Sequence, residues 1–247
     1  CKFAQNKEVV KYLFALLAEI ATDGDMSLLQ RMQDKGVTRA TIEAVAANTS
    51  SKSLIKSATS LMAALVSNAE AAEVFASGET IVMLNDICKQ NLKKPEVALN
   101  VISVLIKLAE NEACATVMSE NNIIQTTAQT LNLCSDSEEL IISCLYLLNN
   151  LVVFKNYKAF SETTLIADCS KLLEKYVKFA VDNAARTVES DNAVMIVTLS
   201  LKLLCGMLPC DEKREQYVKA DLVEMTKYIL MHFNHYDSVF NYAALLL

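Results

Sequence analysis

Apolar residues fall at offsets of 0, 4, 8 and 11 five times along the chain: Val9-Leu13-Leu17-Ile20, Leu54-Ala58-Met62-Leu65, Val97-Val101-Leu105-Leu108, Leu140-Cys144-Leu148-Leu151 and Val197-Leu201-Cys205-Leu208. Val239-Ala243-Leu247 opens a sixth set. At about 3.6 residues per turn these offsets line one face of an α-helix, so each set predicts a helix with one stripe to bury. The first members lie 45, 43, 43, 57 and 42 residues apart. A helical motif returning at that period predicts an α-solenoid, in which each unit covers the apolar face of the next.

The segments between the stripes repeat as well. Ser77-Gly78-Glu79-Thr80, Ser119-Glu120-Asn121-Asn122 and Ser161-Glu162-Thr163-Thr164 are spaced by 42 residues, and Gly36 precedes Gly78 by the same interval. Each is a polar turn between a short helix, such as Ala71 to Ala76, and a medium one, such as Thr80 to Lys89. Glycine there is expected to supply a positive φ. Pro95 fits the first position of the following long helix, Ser135-Asp136-Ser137-Glu138-Glu139 and Ser190-Asp191-Asn192 supply caps and acids, and Pro209 stops a helix after Leu208. One unit is therefore short, medium and long helix. Across 1–247, read as a single solenoid segment, the units are 1–23 (partial), 24–68, 69–111, 112–156, 157–210 and 211–247 (partial).

The unit 157–210 breaks the period with an insertion near 174–189. Leu165, Cys169, Leu172, Tyr176 and Ala180 keep helical spacing with no Gly or Pro through Arg186, which predicts one overlong helix of about 25 residues. Its extension either packs on the neighbouring unit or docks a partner through Tyr176, Phe179 and Val181, rimmed by Lys175, Lys178 and Arg186. Leu199, Leu203 and Met207 pose the same pair of alternatives: cover by the extension, or an apolar site for a peptide or helix.

Composition narrows the class. Hydrophobic residues make up 53% of 247, with four Gly and two Pro, and no alternating apolar-polar run is bounded by turn residues, so the expected fold is all-α. A net charge of -6 with scattered Lys and Arg argues against a nucleic-acid surface, and Lys93-Lys94 is too short for a polybasic patch. Eight cysteines without a C-x-x-C pair predict free thiols, a reducing compartment and no zinc; Cys144 and Cys205 fall on the stripe as small apolar side chains. No apolar run reaches the roughly 20 residues of a membrane span. The chain opens at Cys1 inside a helical pattern and closes on Leu245-Leu246-Leu247 partway through another, which reads as a piece of a longer solenoid.

Catalytic chemistry has little to stand on. His232, His235 and Asp237 could share a metal by spacing, yet without a second ligand cluster they read as ordinary polar residues at a helix end. No phosphate-loop, dinucleotide, zinc-protease or nucleophile-elbow motif is present, so no enzyme activity and no cofactor are expected.

The three-helix period and the pattern Leu140-x-x-x-Cys144-x-x-x-Leu148-x-Asn150-Leu151 resemble the armadillo repeat family, with two-helix HEAT repeats as the near alternative. That resemblance implies a right-handed superhelix of about five repeats whose third helices line a concave groove. Groove positions would be Ala15 and Glu19, Ser60 and Ala64, Ser103 and Lys107, Tyr146 and Asn150, Leu203 and Met207. Nuclear-import adaptors of the family carry Trp-x-x-x-Asn arrays there; this chain has no Trp, and only Tyr146-x-x-x-Asn150 comes near. The implied function is a non-catalytic scaffold or adaptor binding extended peptide segments or neighbouring subunits, with Ser103, Lys107, Tyr146, Asn150, Leu203 and Met207 in contact. Neither nucleic acid nor membrane insertion is expected, and the setting by resemblance is a cytoplasmic, cytoskeletal or ciliary assembly. A nuclear-transport cargo adaptor and a regulatory solenoid of a larger enzyme are the alternatives.

Overall fold

A computed structural model describes residues 6–48, 51–133, 136–155, 157–182, 187–209, 214–219, 221–233 and 235–247. The described residues form sixteen helices and no strand, so the fold is all-α. They are α1 (Lys7–Asp23), α2 (Met26–Asp34), α3 (Val37–Ala47), α4 (Lys52–Leu65), α5 (Ala69–Phe75), α6 (Gly78–Gln90), α7 (Pro95–Leu108) and α8 (Glu112–Glu120). There follow α9 (Ile123–Leu133), α10 (Glu138–Val152), α11 (Tyr157–Ser161), α12 (Leu165–Asp182), α13 (Thr187–Met207), α14 (Arg214–Lys219), α15 (Leu222–His232) and α16 (Asp237–Leu246). After α1 the order short, medium, long recurs four times, and α14, α15 and α16 follow with 6, 11 and 10 residues.

The chain divides into two compact units, Cys1–Asn121 and Asn122–Leu247. In the first, the long helices α1, α4 and α7 pack in succession, with α3 against α4 and α6 against α7. In the second, α10, α13 and α16 do the same, backed by α9, α12 and α15.

Local chemistry explains the helix ends. Asp25, Asn68 and Ser77 side chains accept from the amides of Leu28 (2.9 Å), Ala71 (3.0 Å) and Thr80 (3.3 Å), and Pro95 opens α7. Gly36 takes the left-handed backbone its turn needs, at φ 72°. Gly78 does not. It sits in the first turn of α6, and equivalent left-handed turns are made by Asn122 (φ 61°) and Asp221 (φ 50°), residue types whose short polar side chains tolerate that region. Ser190-Asp191-Asn192 lies inside α13 rather than before it.

Burial corrects the register of the stripe. In α4, α7 and α10, counting from Leu54, Val97 and Leu140, positions 0, 1, 4, 5, 7, 8 and 11 are all buried. In α13 the matching residues are Ile196, Val197, Ser200, Leu201, Leu203, Leu204 and Met207, so the repeat starts at Ile196, one residue before Val197. Val197 and Leu201 thus belong to the second buried row, and Cys205 and Leu208 are only half-buried. The stripe expected on α1 is also not a core: Val9, Leu13 and Ile20 are 42%, 47% and 40% exposed, and Phe14, Ala18 and Ala21 face α4 instead.

The insertion lengthens two helices in place of the single overlong one expected. α12 has 18 residues and α13 has 21, each longer than the ordinary medium and long helix, and they pack on one another. Tyr176 is buried, while Phe179 and Val181 are half-buried, so Tyr176 is no docking contact; its ring fills the unit's own core. Burial, with Glu138 and Asp136 nearby, pushes its hydroxyl pKa up to about 12. Arg186 lies outside the described residues.

Candidate functional site

The outer positions of the long helices are where a groove would form, and they divide into three groups. Ser60, Ala64, Ser103 and Asn150 are half-buried, and Lys107 and Tyr146 are exposed. Ser103 Oγ donates to the Leu99 carbonyl at 2.9 Å, and Lys107 Nζ pairs with Glu110 at 2.6 Å. Leu203 and Met207, by contrast, are fully buried and cannot meet a partner. The one-residue register shift is the cause: counted from Ile196, the positions matching Tyr146 and Asn150 are Lys202 and Gly206. A Cβ on Gly206 would stand 2.7 Å from Val152 Cγ1, so the missing side chain lets α13 approach α10.

Concavities occur between successive long helices. In the first unit a cleft of about 430 Å³ is walled by Lys52, Ser53 and Lys56 of α4 and by Lys93, Lys94 and Glu96 at the start of α7. A second, of about 340 Å³, lies between α1 and α4 with Glu19, Asp23, Lys56 and Ser60 on its walls. In the second unit a cleft of about 370 Å³ is lined by Tyr146, Met195, Thr198, Leu199, Tyr236 and Asp237, with Asp191 at its edge. Tyr146 and Met195 are 42% and 40% exposed, large apolar surfaces left open beside carboxylates.

Placed in the corrected register, the 430 Å³ and 370 Å³ clefts are one structural feature occurring twice. Lys52 corresponds to Val194, Ser53 to Met195, Lys56 to Thr198 and Lys94 to Tyr236. Sequence reasoning found Tyr146 but missed these N-terminal positions, because it followed the stripe down the helix and weighed Lys93-Lys94 as a run along the chain. Lys52 and Lys56 join that pair only in space.

The remaining candidates are occupied structurally. Cys88, Cys114, Cys144 and Cys169 are buried and in no disulfide, and Cys205 is half-buried with its pKa raised by burial to about 11. Burial likewise raises Cys114 and Cys169, the opposite of a nucleophile's needs. Cys1, Cys134 and Cys210 lie outside the described residues. His232 stacks on Tyr228 with ring centroids 4.0 Å apart and its Nδ1 is 2.9 Å from the Tyr228 carbonyl; His235 packs on Tyr236. Among the described residues no group of three potential ligands forms a metal site, and no helix is long and apolar enough to cross a membrane.

Together these features define an all-α protein of repeated helical units. A crystal structure of an engineered protein, a Northeast Structural Genomics Consortium target, is similar in fold, with a TM-score of 0.69 and 16% sequence identity over 98% of this chain and 90% of that one. No protein-family model matches the chain, and no curated protein does.

Proposed function

We propose that this chain is an armadillo-type interaction scaffold that binds extended protein segments in the clefts between its long helices and performs no chemistry of its own. The observation that carries this reading is the cleft of the second unit, where Tyr146 and Met195 stay open to solvent beside Thr198, Tyr236 and Asp237 while the inward rows of α10 and α13 are buried. Aromatic and methionine side chains on an otherwise polar helix face are the composition of contact surfaces. The open geometry suits a peptide and would not exclude water from a reaction. A cytoplasmic, cytoskeletal or ciliary setting accords with the armadillo resemblance.

The test is selection of peptides from a random display library on the purified chain, followed by affinity measurement with Tyr146→Ala/Met195→Ala. The expected result is a set of peptides whose affinity falls about tenfold or more in the double variant, the loss of a central aromatic contact, and is unchanged by Tyr12→Ala on α1. Failure to enrich any peptide, or equal affinity for the double variant, overturns the reading.

A further inference from the structure

We propose that the first unit's cleft between α4 and α7 is a docking site for an acidic, Asp- and Glu-bearing segment of a protein partner, a deepening that rests on the scaffold reading above. Four of its eight lining residues are lysines, Lys52, Lys56, Lys93 and Lys94, against a single carboxylate, Glu96. With 23 Lys and Arg in 247 residues, eight positions would ordinarily hold about one, so the cluster is not the composition repeating itself. Glu96 is already engaged, pairing with Lys56, whose other side borders the cleft of Glu19 and Asp23. Lys52, Lys93 and Lys94 have no such partner in the cleft wall.

The fold does not ask for these lysines. At the equivalent repeat positions of the second unit Val194 stands for Lys52, His235 for Lys93 and Tyr236 for Lys94; Tyr236 is the N-cap of α16 as Lys94 is of α7, whereas Val194 lies inside α13, which begins at Thr187. Their placement even works against helix stability. Lys52 is the first residue of α4 and Lys94 the N-cap of α7, positions at the positive end of a helix where acids are favoured; α4 has no acid in its first turn, and neither N-cap side chain makes a capping bond. Side chains that cost stability, are not required by packing and converge on one cleft are best explained by what they attract.

The chain's charge selects the occupant. At -6 overall it repels a duplex or an anionic bilayer over most of its surface, whereas a short acidic segment entering one cleft meets four lysines against one carboxylate, Glu96, already paired with Lys56. Such binding is steered electrostatically and falls steeply with salt.

The experiment is fluorescence polarisation with a labelled peptide of alternating Glu and Ser, and a Gln-for-Glu version as control, on the full chain and on Lys52→Glu/Lys93→Glu/Lys94→Glu. Saturable binding of the Glu peptide that is weakened at least tenfold by the triple variant, by added salt or by the Gln version is the expected result. The variant's thermal midpoint should not fall, because acids suit those helix ends, so weaker binding cannot be ascribed to misfolding. Equal affinity of wild type and variant for the Glu peptide overturns the proposal, as does tighter binding of a DNA duplex or phosphatidylserine vesicles. Peptides selected through Tyr146 and Met195 separate the two readings: if they still bind while the Glu peptide does not, only the acidic-segment proposal falls, and if neither binds the scaffold reading falls with it.

Discussion

The cleft of Lys52 and Lys94 and that of Val194 and Tyr236 occupy matching repeat positions and have nearly opposite linings. Beneath each, the buried row is the same: Leu54, Ala58, Leu61, Met62 and Leu65 in α4 match Ile196, Ser200, Leu203, Leu204 and Met207 in α13, and all are sealed from solvent. The comparison teaches that in a repeated helical fold the inward positions are bound to the register while the outward ones are free to diverge. On the scaffold reading, recognition would be written on the positions that folding barely constrains.

The largest effect that could break this comparison is truncation of the shared row. Leu54→Ala and Ile196→Ala should each cost about 2–5 kcal/mol, whereas Val9→Ala, on the exposed stripe of α1, should cost less than about 0.5 kcal/mol. Urea titrations of the three variants check this, and a cheap Ile196→Ala would show that the register has been misassigned. Next comes a place where the units differ in packing. Ala64 is the counterpart of Gly206, yet Gly206→Ala drives a methyl into Val152 and should destabilise by about 1–3 kcal/mol, an effect that Val152→Ala relieves in a double-mutant cycle.

Buried polar contacts offer a third probe. Asp168, buried in α12, accepts from Asn132 Nδ2 at 2.8 Å and Thr164 Oγ1 at 2.7 Å, so Asp168→Ala orphans two donors and should cost about 1–3 kcal/mol by thermal or urea unfolding. Tyr176 gives a pH signature confined to the second unit. Its folded pKa lies above the ordinary 10, so the native state holds the proton more tightly than the unfolded chain; stability from this group is complete below pH 10 and declines as pH rises toward 12. Tyr176→Phe should flatten that part of the stability profile. The smallest effect is Lys52→Glu, expected to stabilise by about 0.3–1 kcal/mol through the helix dipole at low salt.

Much of the architecture could be read in the chain because burial on a helix leaves a period. The stripes from Leu54, Val97 and Leu140 are the core that was expected, and Pro95 begins its helix where proline should. The period failed where a neighbouring row was equally apolar: at α13, Val197 and Leu201 mimic Ile196 and Ser200, and hydrophobicity alone cannot choose between adjacent rows of a helix buried on both sides. That single step misplaced Leu203 and Met207 in the groove. Tyr176 misled for a related reason, since an aromatic residue on an extension reads as contact until its cover, here within the same unit, is known. The lysine cleft was invisible because Lys52 and Lys93 are neighbours only after α4 and α7 pack.

Exchanging one lining for the other is the most direct trial of the account. Lys52→Val/Lys94→Tyr gives the first cleft two residues of the second without touching the buried row, and polarisation with the Glu-Ser peptide reads the outcome. A folded protein that has lost at least tenfold in affinity for that peptide is the predicted result; a variant that binds it as the wild type does, or one that no longer folds, would contradict the claim that these outward positions carry recognition and not the fold.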